Sequence, residues 1–157
     1  MEQGNTAFVL FSAALVLLMT PGLAFFYGGL VKAKSVVSMM MLSFGSLGLV
    51  AVLWVLYGYA ITFADVGDVG WFGIPHIIGI DTAALGLSAQ VADAAAPAGS
   101  IPELAFVAFQ ATFAIITVAL ISGAIADRAK FGAWMVFAGL WATLVYFPVA
   151  GWVFNFT

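Results

Sequence analysis

Of the 157 residues, 65% are hydrophobic and 7% are charged; the formal net charge is −3, there is no cysteine, and mean hydropathy is +1.19. A soluble domain carries about 45–50% apolar and about 25% charged residues, so this chain cannot cover a water-facing surface, and its composition is the opposite of a disordered one. Without cysteine there is neither a disulfide framework nor a thiolate metal site, and four Lys/Arg against seven Asp/Glu exclude a nucleic-acid partner.

The charges sit at Glu2, Lys32, Lys34, Asp65, Asp68, Asp81, Asp93, Glu103, Asp127, Arg128 and Lys130. Between them lie four uncharged stretches, residues 3–31, 35–64, 104–126 and 131–157. Each exceeds the ~20 apolar residues that a helix rising ~1.5 Å per residue needs to cross ~30 Å of hydrocarbon. The reading is an all-α polytopic bundle, one transmembrane domain over 1–157, with helices near 7–29, 37–62, 104–126 and 132–155. A transmembrane barrel is excluded, because runs such as Ala13-Ala14-Leu15-Val16-Leu17-Leu18-Met19 do not alternate.

The first span is not a cleaved signal peptide, since the first basic residue follows it instead of preceding it. Pro21-Gly22 is expected to kink it. All four basic residues fall in two short connections, Lys32/Lys34 and Arg128/Lys130, whereas the long connection 64–102 has four acidic residues and no basic one. The positive-inside rule then places both short connections in the cytoplasm, with the N-terminus and loop 64–102 extracytoplasmic. Within that loop, residues 71–78 are apolar but too short to span, and are expected along the outer interface where Trp is enriched. His76 stands there as the only histidine, with no second ligand nearby, so no metal site and no cofactor is expected.

No span contains an ionisable residue. Pumps and voltage sensors place such groups at membrane depth, so any path through these helices is lined by aromatics, hydroxyls, amides and backbone. On the third span, Phe106, Phe109, Gln110, Phe113 and Thr117 share one helical face about 100° wide, and Phe109 and Phe113 are i,i+4 neighbours that should meet. Phe109 falls ~9 Å below the outer end at Glu103. In the outer half of the fourth span stand Phe147, Trp152 and Phe154. Clustered ring faces can hold a cation without a formal charge; the plainer alternative is that these rings face lipid. Ala119 with Gly123, and Gly45 with Gly48, mark smooth packing patches. Asp127 and Arg128 form the tightest charged pair, expected to cap the third helix and fix topology. No convergent acid, base and nucleophile is present, so an enzyme is not expected.

Five blocks then resemble a known family in order and at comparable spacing. Met19-Thr20-Pro21-Gly22-Leu23-Ala24-Phe25-Phe26-Tyr27-Gly28-Gly29-Leu30 resembles the first-helix signature of the ammonium transporters (Amt/MEP/Rh), and Trp54-Val55-Leu56-Tyr57-Gly58-Tyr59 the end of their second helix. Phe109-Gln110-Ala111-Thr112-Phe113-Ala114-Ile115-Ile116-Thr117 resembles the third helix. Gly123-Ala124-Ile125-Ala126-Asp127-Arg128 with Phe131 resembles the following inner loop, and Trp141-Ala142-Thr143-Leu144-Val145-Tyr146-Phe147-Pro148 the fourth helix. The resemblance implies the first four helices of an inverted-repeat transporter, a cell-membrane, channel-like carrier of ammonium or ammonia that assembles as a homotrimer in the bilayer. It implies that Phe109 lines the external ammonium site, that Phe113 forms the outer gate, and that Phe154 closes the site from the fourth helix. The family's pore histidines, site serine and binding-region aspartate have no counterpart in these 157 residues, and Gly151 and Phe154 stand where histidine and tryptophan are common. The expectation is therefore a fragment or truncated member that needs further helices to transport. The alternative is a non-transporting four-helix membrane protein acting as assembly partner or scaffold.

Overall fold

The computed structural model describes residues 3–64, 79–92 and 97–155; the interfacial stretch 71–78 and His76 lie outside them. Four long apolar helical spans run over Gln3–Leu30, Ala33–Thr62, Glu103–Ile125 and Phe131–Phe154. The first span is one helix, α1 (Gln3–Leu30), which continues through Pro21 without interruption. The second is α2 (Val36–Leu53), a widened π-turn at Trp54–Gly58, and α3 (Tyr59–Thr62). The connection between the second and third spans contributes a 3-10 turn at Thr82–Leu87, the short helix α4 (Ser88–Ala92), and a two-residue antiparallel pairing of β1 (Pro97–Ala98) with β2 (Ile101–Pro102). The third span is α5 (Glu103–Ile121), tightening to a 3-10 turn at Ser122–Ile125. The fourth is α6 (Phe131–Trp141), a second π-turn at Ala142–Tyr146, and α7 (Phe147–Phe154).

The second π-turn has a local cause. Pro148 lies in the first turn of α7. It has no N–H to donate, and its ring would press on the carbonyl four residues back, that of Leu144. Widening the turn that contains Leu144 relieves the clash while the chain stays helical. The start of the 82–92 helical segment is also local: Asp81 Oδ1 accepts the Ala83 N–H at 2.9 Å, an N-cap bond. After the third span the chain turns at Asp127, whose φ is +61°. This left-handed conformation just past a helix end suits Gly best and tolerates Asp.

In lipid the gain from helix association comes from close packing and interhelical hydrogen bonds more than from hiding apolar surface. α1, α2 and α5 pack against one another, α6 packs on α2, and α3 packs on α7. α1 meets its neighbours along a stripe of small residues, Ala13, Thr20, Ala24 and Gly28. Gly123 is held against the Tyr27 ring, 2.6 Å from where a Cβ would stand, and Gly45 similarly meets Phe131 and Met135. Gly48 differs from the expected patch: it faces open space and packs nothing. Trp134, fully buried, fastens the second and fourth spans through bonds of 3.0 Å each to the Leu42 carbonyl and Ser46 Oγ.

Hydropathy is nearly equal in the first and third spans, 2.2 and 2.3, yet 17% of the most apolar window of the first is buried within the chain against 50% of the third. The third span is therefore the central one, and its surroundings define the site.

Candidate functional site

On α5 the buried residues include Ala105, Val107, Thr112, Ala114, Ile115, Ile116, Val118 and Ala119. They are mostly small or β-branched, which lets α1 and α2 approach. Phe106, Phe109, Gln110, Phe113 and Thr117 are all half-buried instead. The face read from the helical period is thus a distinct strip, neither sealed in the core nor fully bare.

Phe109 and Phe113 meet edge to face, ring centroids 4.9 Å apart and planes at 76°, the arrangement the aromatic quadrupole favours. Their backbone is stiffened by hydroxyls one turn on. Thr112 Oγ1 donates to the Phe109 carbonyl at 2.6 Å, and Thr117 Oγ1 to the Phe113 carbonyl at 2.7 Å. Both hydroxyls are therefore spent within the helix. Gln110 makes no hydrogen bond among the described residues, so its amide is the one polar side chain of the strip left to meet something else. Toward the Glu103 end of the helix, Phe106 packs on Phe63 with centroids 5.1 Å apart, which links the strip to the end of the second span.

The fourth span reaches the strip at Thr117. Here Thr117, Trp141, Tyr146, Val149 and Phe154 line an almost wholly apolar groove of about 340 Å³. Phe154 is 41% exposed and has no ring partner among the described residues. The chain therefore brings Phe109 and Phe113 together directly and connects Phe154 to their strip only along the groove. Trp152 is exposed as well.

Phe147 departs from its sequence grouping with Phe154. It is 0% exposed and packs on Trp54, Tyr57 and Tyr146, with centroids 5.7, 6.0 and 6.2 Å away. Opposite it stands Gly58, where a Cβ would come within 2.7 Å of the Phe147 ring. One turn further along the fourth span, a Cβ on Gly151 would stand 2.8 Å from the Thr62 carbonyl oxygen. Tyr57 Oη and Thr143 Oγ1 share a hydrogen bond of 2.8 Å between the two π-turns, and Trp54 Nε1 donates to the Val107 carbonyl at 3.2 Å. This seam joins the second, third and fourth spans behind the strip. It escapes a helical-wheel reading because both π-turns break the 3.6-residue period; Pro148 is the one sequence signal that points to it.

Among the described residues no group of three or more His, Cys, Asp or Glu could hold a metal. What the strip offers is ring faces, one amide and helix backbone, groups that can attract a small cation, strip its water and hold it without a fixed counter-charge.

The profile of the Ammonium Transporter Family matches residues 7–157. An ammonium transporter of Mycobacterium tuberculosis (strain ATCC 25618 / H37Rv) is 59% identical over 99% of this chain, which covers 34% of that protein. One from Bacillus subtilis (strain 168) is 47% identical over 99% of this chain and 36% of its own length. Among solved structures, Candida albicans Mep2 superposes with a TM-score of 0.81 at 27% identity, over 99% of this chain and 32% of that one. The chain thus spans about a third of the length of the curated relatives it matches.

Proposed function

The chain belongs to the ammonium transporter family, and from that premise we propose that its four spans build the outer approach of a channel-like path for ammonium or ammonia. The observation that carries this reading is the half-buried Phe109–Phe113 pair on the central span, 4.9 Å between centroids. Further helices complete the path against this strip. Phe109, ~9 Å below Glu103, holds the arriving cation by its ring face, an interaction of ~0.5–2 kcal/mol. Phe113, ~6 Å deeper, obstructs the way and excludes water. Phe154 borders the same approach from the fourth span. The relatives' names support ammonium as the substrate. Assembly as a homotrimer in the cell membrane follows from the family resemblance, and the outward-facing N-terminus from the four basic residues of the short connections.

Concentration-dependent uptake of ammonium or its methylated analogue tests the reading. Phe109→Ala should weaken apparent affinity by up to about thirtyfold, the equivalent of ~2 kcal/mol. Phe113→Ala should change throughput or selectivity while affinity moves less. If flux, affinity and selectivity stay unchanged in both, the rings face lipid and the proposal fails. For orientation, a cysteine replacing Asp81 should react with an impermeant thiol reagent on intact cells and one replacing Lys34 should not; the opposite pattern overturns the outside placement.

A further inference from the structure

Three segments distant in sequence meet at the outer end of the third span. Glu103, in the first turn of α5, accepts the hydroxyl of Tyr59 at 2.9 Å and the amide Nε2 of Gln90 at 3.1 Å. Both donors use the same carboxylate oxygen, Oε1, so Oε2 takes part in neither bond. Gln90, on α4, is only 6% exposed, and its own Oε1 has no hydrogen-bond partner among the described residues. The bond from Nε2 to Glu103 fixes which end of the amide faces the carboxylate, since the reversed amide would set two acceptors against each other. Asp81 lies close by, its backbone N–H bonded at 3.0 Å to the Ala60 carbonyl, next to Tyr59. No Lys or Arg occurs between Lys34 and Arg128, so no basic side chain from that whole stretch offsets these two carboxylates.

A helix-terminal acid held by two donors would account for Tyr59 and for the nitrogen of Gln90. It does not account for a buried amide oxygen, which carries its full desolvation penalty when no donor reaches it. Leucine at position 90 would fill the space without that penalty. The pattern is two acceptor groups, a carboxylate and a buried amide oxygen, tied to each other by one hydrogen bond and both with capacity to spare. We propose that Glu103 and Gln90 form a binding site for a small monovalent cation at the outer end of the third span, separate from the aromatic strip. A divalent ion is commonly held by several carboxylates, whereas one carboxylate with one neutral amide oxygen matches a single charge. The site stands about two turns outward of Phe109, and it does not rest on the assignment of the aromatic strip.

The test is thermal unfolding of the intact protein in nanodiscs, titrated with ammonium, potassium or sodium chloride, with ionic strength held constant by N-methylglucamine chloride. A saturable rise in the midpoint, about 3 °C or more at tenfold the dissociation constant, is expected with at least one of the three cations. Which cation gives it separates an N–H donor from a bare ion, and any of the three supports the site. The rise should be lost in Gln90→Leu, which keeps every charge, and reduced in Glu103→Gln, but retained in Phe109→Ala. No saturable rise with any cation, as a site filled by water alone would give, overturns the proposal, as does a rise undiminished in Gln90→Leu. A rise lost in Phe109→Ala but kept in Gln90→Leu overturns it while leaving the aromatic-strip reading intact.

Discussion

Two aromatic regions stand side by side in the bundle, and they differ in what their rings touch. In the seam between the second and fourth spans, Phe147 meets rings from both its own span and the neighbouring one and sits against Gly58. On the third span, Phe109 and Phe113 meet each other along a single helix, and the strip they belong to stays half-buried. Composition does not separate these rings: all are phenylalanines at membrane depth. Partners do. A ring gripped from two spans with a glycine opposite is a fastener, whereas a pair stacked along one helix leaves its remaining faces for another occupant.

The contrast can be broken by substitution. Phe147→Ala should have the largest effect on stability, at the lower end of about 3–5 kcal/mol, because lipid already offers the ring an apolar alternative in the unassembled state. A loss no greater than that of Phe109→Ala, measured by thermal unfolding in detergent, would erase the distinction. Gly58→Ala should come next, costing about 1–3 kcal/mol by overpacking against the Phe147 ring. Phe147→Leu in the same chain should recover part of that loss; if the single change is neutral, the seam is looser than the 2.7 Å approach implies. Phe109→Ala should cost about 1 kcal/mol of stability or less, the worth of one ring pair, even as apparent affinity for ammonium falls. Smallest of all, Phe154→Trp should tighten apparent affinity about twofold, from ~0.5 kcal/mol of stronger cation–π attraction, with the unfolding midpoint unmoved. Looser binding in that variant would detach Phe154 from the approach.

The long helices were legible because charge is so costly in hydrocarbon that uncharged stretches mark them directly; the first and second spans, Gln3–Leu30 and Ala33–Thr62, begin four residues before the expected starts. The strip from Phe106 to Thr117 was legible because α5 keeps the 3.6-residue period through it. Phe147 was not, since burial depends on which residue of another span stands opposite, and Gly58 is 89 positions away in the chain. The meeting of Tyr59, Gln90 and Glu103 was hidden for the same reason, and because α4 lies in a connection whose Gly- and Ala-rich sequence carries little periodic signal. Tyr57 and Thr143 give no sign in sequence that their hydroxyls share a bond across two helices.

The two π-turns carry a consequence for length variation. Each holds one residue more than the regular pitch of the helix would, at matching levels of adjacent spans, and the Tyr57–Thr143 bond ties them together. Removing one residue from 142–146 would restore the ordinary pitch with little rotation of the helix beyond, because an i→i+5 turn covers with one more residue about the same angle as an i→i+4 turn. Phe147 would keep its place against Gly58, and only the Tyr57–Thr143 bond between the turns would be disturbed. A deletion at 148–150, in the regular helix that follows, would instead turn Gly151 by about 100° and carry it off the Thr62 carbonyl. The two turns are therefore the places where these spans can lose a residue and keep the seam in register.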